Sequence, residues 1–147
     1  MSSFKNRQSA EILKSVYKNA DMAYEASGDI LRRCRNTQLH REIAAQRERY
    51  KNIAAEARGE LTRRGVTPKQ TPPHIKAMAK MGIAMKTMTG QSSTRLAKIM
   101  IRGTTAGIID MQHAVNRSRG AEERIKDDAQ DLLKREQEYC DSLKSYL

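Results

Sequence analysis

Apolar residues recur every three or four positions through most of the chain, and that spacing confines it to packed helices. From about residue 8 to 34, Ile12, Val16, Ala20, Ala23, Ser27 and Ile30 form one stripe, widened by Leu13, Tyr17, Tyr24 and Leu31. The break at 35–38 offers Asn36 or Thr37 as an N-cap. A second stripe follows in Leu39, Ile43, Gln46, Tyr50, Ile53, Ala57 and Leu61; it runs to Arg64, and Gly65 supplies the stop. A third helix is expected from Pro73 or His74, carrying Ile75, Met78, Ala79, Gly82 and Met85, with a break or kink near 89–93 at Thr-Gly-Gln-Ser-Ser. The pattern resumes through Ala97, Met100 or Ile101, Thr104, Ile108, Met111 and Val115, then stops at 116–120. The fourth helix carries Ile125, Ala129, Leu132, Glu136, Tyr139, Leu143 and Tyr146.

Helices of about 25 residues are each roughly 38 Å long, a length that suits an up-down bundle in which each stripe buries itself against the others. The prolines sit at 68, 72 and 73, so residues 65–73 are expected to form a long crossover rather than a tight hairpin. The fold predicted is therefore all-α: one antiparallel four-helix bundle over residues 1–147, with residues 1–7 flexible. One phenylalanine and no tryptophan fit helices better than sheets. There is no apolar run of about 18 residues to span a membrane, and the Met-Ser-Ser-Phe-Lys start lacks the apolar core of a secretion signal; a cytoplasmic protein is expected. Cys34 and Cys140 lack a CxxC or zinc-ligand spacing and read as free thiols.

The helix order, the stretch Met100-Ile101-Arg102-Gly103-Thr104-Thr105-Ala106-Gly107-Ile108-Ile109-Asp110 and the closing Lys134-Arg135-Glu136-Gln137-Glu138-Tyr139-Cys140-Asp141-Ser142-Leu143-Lys144-Ser145-Tyr146-Leu147 resemble the ferritin-like superfamily, most of all its small bacterial bundle proteins. The resemblance implies a di-iron or di-manganese centre built from a Glu on each of two helices and a Glu-x-x-His on each of the other two. The second helix instead offers Gln46-Arg47-Glu48-Arg49, the third Thr104, and the fourth Glu136 with Tyr139 in place of histidine. The inward stripe of the first helix holds no carboxylate. Of this vestigial set, Gln46, Arg49, Thr104, Glu136 and Tyr139, one ligand survives, and two cations beside an arginine would be poorly held. The expectation is no cofactor, with iron or manganese as the alternative, and a polar cluster of Glu136 with Arg49, Gln46 and Thr104 that satisfies itself and fixes helix register. His40, His74 and His113 read as surface or cap positions, and the methionines at 78, 81, 85, 88, 100 and 111 as packing.

Charge is the second feature. The chain has 28 Lys and Arg against 17 Asp and Glu, a formal net charge of +11. Such a surface attracts polyanions. Arg32, Arg33, Arg35, Arg41, Arg47 and Lys51 around the first turn are the candidate contacts, although no helix-turn-helix, zinc-finger or RNA-binding motif accompanies them. The function expected is that of a non-catalytic ferritin-like binding or assembly protein, self-associating through the clustered methionines or holding a protein partner. The alternatives are non-specific nucleic-acid or polyanion binding and a residual metal-dependent oxidoreductase.

Overall fold

A computed structural model describes residues 2–69 and 92–147. Among the described residues there are four α-helices and no strand: α1 (Ser2–Leu31), α2 (Thr37–Arg63), α3 (Ser93–Arg117) and α4 (Glu123–Leu143), followed by a 3-10 turn at Lys144–Tyr146. The expected third helix near 73–88, its methionines, His74 and most of the 89–93 break lie outside the described residues.

Local chemistry sets the helix ends. Asn36 caps α2, its side-chain oxygen accepting from the Leu39 amide at 2.9 Å. Gly65, at φ +73°, takes the left-handed conformation that ends α2 where the sequence places the stop. Ser92 caps α3 by accepting from the Arg95 amide at 3.2 Å. α1 starts at Ser2, well before the first stripe residue, because polar contacts anchor its first turns: Asn6 Oδ1 accepts from Arg64 at 2.6 Å, and Ser9 Oγ accepts from the Glu122 amide at 2.9 Å. It stops at Leu31, earlier than expected, where the Arg33 and Cys34 amides turn to carbonyls three residues back.

α1 packs most extensively on α2, and also touches α3 and α4; α3 packs on α4 and the closing turn. The apolar core falls into two clusters, each drawing on all four helices. One holds Ile12, Val16, Leu61, Met111, Ile125 and Leu132 among others; the second holds Ile30, Leu39, Ile43, Leu96, Met100, Tyr139 and Leu143. Between them lies a polar waist.

A carboxylic acid and two tyrosines at the waist of the bundle

Glu136 on α4 and Gln46 on α2 are buried, at 5% and 6% exposure, as the stripe positions require. The Tyr50 hydroxyl, on α2, donates to Glu136 Oε2 at 2.8 Å. The Tyr139 ring meets the Tyr50 ring edge-on, with centroids 6.4 Å apart and planes at 80°. This geometry follows from the helical repeat: Gln46 and Tyr50 are one turn apart on α2, Glu136 and Tyr139 nearly so on α4, and the two pairs face each other.

Arg49 does not close the cluster in the way the sequence suggested. It is exposed and donates to Gln46 Oε1 at 2.9 Å, while among the described residues the hydrogen bond to Glu136 comes from Tyr50. A guanidinium drawn into the core would lose its hydration, and a phenol delivers the same donor without that penalty. Thr104 is half-buried on α3. Tyr50, which the sequence reading counted only as a stripe position, is thus the donor to the buried carboxyl; a phenol on the stripe facing a glutamate was the available signal.

The electrostatics follow from burial. Burial pushes the Glu136 carboxyl up to about 7, against the opposing pull of the Tyr50 hydrogen bond and the nearby Arg135 charge. Burial also drives both phenols well above their ordinary range, helped by the Glu136 charge. When Glu136 is protonated, the Tyr50–Glu136 hydrogen bond joins two uncharged groups.

That donor set does not fit a di-metal centre. Among the described residues, two phenols that hold their protons and the Gln46 amide lie about the Glu136 carboxyl, which Tyr50 already engages, and a further carboxyl, that of Glu42, lies beside Tyr139. Among the described residues no three His, Cys, Asp or Glu side chains converge. His40 and His113 are exposed, on α2 and α3. Cys34 is half-buried and Cys140 buried, both as free thiols; burial raises the Cys140 thiol, the Thr105 contact opposing it.

The proposed polyanion contacts separate into two groups. Arg32 is ion-paired to the buried Asp29, and Arg33 donates to the Asp29 carbonyl at 2.9 Å. Arg47 is half-buried with its guanidinium 3.9 Å above the Tyr24 ring, donates to the Tyr24 carbonyl at 3.2 Å and lies over Gly28, where a Cβ would come within 3.1 Å of it. These three hold α1 and its turn together. Arg35, Arg41 and Lys51 are exposed. A second polar contact was not anticipated: Asp110 on α3 accepts from Ser15 at 2.9 Å and Asn19 at 2.7 Å on α1, with Lys18 at 3.3 Å.

No family model, curated protein or solved structure matches the chain. No helix among the described residues is long and apolar enough to cross a membrane.

Proposed function

We propose that the chain is a ferritin-like, antiparallel four-helix bundle whose di-metal positions have become a neutral structural layer, and that it works as a non-catalytic binding or assembly protein. The observation that carries this reading is the Tyr50–Glu136 hydrogen bond, which occupies the surviving carboxyl with a neutral donor. The pairings across helices support the antiparallel arrangement. Ser15 and Asn19 on α1 meet Asp110 and Gly107 on α3 in reversed order, and Tyr50 and Glu60 on α2 meet Glu136 and Arg124 on α4 likewise.

The test is elemental analysis of untagged protein from cells grown with added iron and manganese. Trace metal is expected for wild type. Near-stoichiometric metal that disappears in Glu136→Gln would overturn the reading and restore an oxidoreductase. Light scattering after size exclusion, at high micromolar concentration, reads the assembly half: a dimer or larger species is expected, and a strict monomer leaves binding of a different partner as the role.

A further inference from the structure

The two long sides of α2 differ in how their charges are used. At 3.6 residues per turn, Arg41, Lys51 and Arg58 share the outward side and the flank facing α1, the flank from which Arg47 reaches Tyr24 and Gly28. All three are exposed, and no described residue hydrogen-bonds or ion-pairs with their side chains. Arg35, in the turn above, is in the same condition. Glu42, Glu56 and Glu60 take the opposite flank: Glu60 pairs with Arg124 of α4 at 3.2 Å, Glu42 raises the Tyr139 phenol from across the seam, and Glu56 lines the cleft between α2 and α4. The cations on that acidic flank are spoken for, since Arg63 pairs with Glu60 and Arg49 with Gln46.

We infer that the α1–α2 side of the bundle, through Arg35, Arg41, Lys51 and Arg58, docks on the phosphate backbone of a nucleic-acid duplex. From Arg41 to Arg58 the row extends about 25 Å along α2, at about 1.5 Å per residue. Guanidinium groups dominate it and can address phosphate oxygens in pairs. Asp21, Glu25 and Glu48 are the acids on the same side, so the contact is a set of separate phosphate clamps rather than a uniform field.

Aromatic placement selects the duplex over a single strand. Tyr17, Tyr50 and Tyr139 are buried, Tyr24 lies under Arg47, and the exposed Phe4 sits against Gly120 at the other end of the bundle. Among the described residues no tyrosine or phenylalanine on this side offers a base a surface to stack on, and His40 is the one exposed ring near the row, so backbone charge is the main feature to be read. Among the described residues, the large exposed apolar side chains Phe4, Met22, Ile109 and Leu147 lie off this row, as a membrane-inserting face would not have it. This names a partner for the binding reading above and stands without the ferritin-like assignment; metal analysis tests that assignment, and a duplex titration tests this site.

The experiment is fluorescence anisotropy with a labelled 20-base-pair DNA duplex over a salt series, on wild type, on Arg41→Glu/Lys51→Glu/Arg58→Glu, and on a control of equal charge change on α3 and α4, Lys98→Glu/Arg102→Glu/Lys134→Glu. Circular dichroism checks folding, and the corresponding alanine triple variants replace any that fails. Wild type is expected to bind with a steep salt slope. The α2 variant should lose at least about tenfold in affinity, and the log–log slope should fall by about 2 to 3 as three phosphate contacts go. The control should keep most of the affinity. Equal losses in both variants would reduce the effect to net charge and overturn the site; no duplex binding at low salt, or binding to anionic vesicles alone, would overturn the partner.

Discussion

Replacing Glu136 by Gln keeps the shape of the waist and removes its proton. In the unfolded chain a glutamate titrates near about 4.3, whereas the folded bundle holds Glu136 at about 7. The folded state therefore binds the proton more tightly. The stability this contributes is complete below about 4.3 and is lost as pH rises through about 7. At about 1.4 kcal/mol per pH unit the gap is worth about 3 to 4 kcal/mol, a large part of the ordinary margin of a small domain. Urea unfolding of wild type and Glu136→Gln at pH 5 and pH 8 measures it directly. Wild type should weaken by up to about 3 kcal/mol between the two pH values, while the Gln variant, whose amide oxygen still accepts from Tyr50, should stay nearly level and become the more stable protein at pH 8. The carboxylates whose pKa is lowered, Asp110, Glu60, Glu122 and Asp141, contribute stability that is lost only as pH falls below the ordinary carboxylate range, outside this window. Parallel pH dependence in the two proteins would refute the account of the waist.

Other outcomes follow from single contacts. Tyr50→Phe removes the donor that holds the Glu136 carboxyl down, so that carboxyl should titrate still higher by carbon-13 NMR, with a stability loss of about 1 to 3 kcal/mol; an unmoved titration would sink the assigned partnership. Arg47→Ala gives up the Tyr24 stacking and a backbone hydrogen bond, and should cost about 1 to 2 kcal/mol by chemical denaturation with little salt dependence, unlike a surface charge. Asp110→Ala strands the Ser15 and Asn19 donors and should cost about 1 to 3 kcal/mol; a change within error would mean that the α1–α3 contact rests on packing alone.

The helices were legible because their burial is periodic. Ile12, Ile43, Leu61, Ala97 and Leu143 lie at stripe positions and are almost fully enclosed. The caps at Asn36 and Gly65 were legible because so few residue types serve there. The early start of α1 was not, since Asn6 and Ser9 are held by Arg64 and Glu122 from far along the chain. At the waist, sequence placed Gln46, Glu136 and Tyr139 inside. It could not choose between Arg49 and Tyr50 as the partner of Glu136, because both lie within one turn of Gln46 and only the relative rotation of α2 and α4 decides. The same limit hid the division of the basic residues: Arg47 and Arg41 read alike in a charge count, yet one is stacked on Tyr24 and the other faces outward.

Because every helix contributes to the apolar cluster on each side of the waist, each half of the molecule is a complete contact among four rods. The waist then acts as an insulator. A cavity at Leu61 and a cavity at Ile43, about 27 Å apart along α2 at about 1.5 Å per residue, should cost about 2 to 5 kcal/mol each and simply add. Evolution can thus rework the packing at one end of the bundle without renegotiating the other, and loosening at one end stays local.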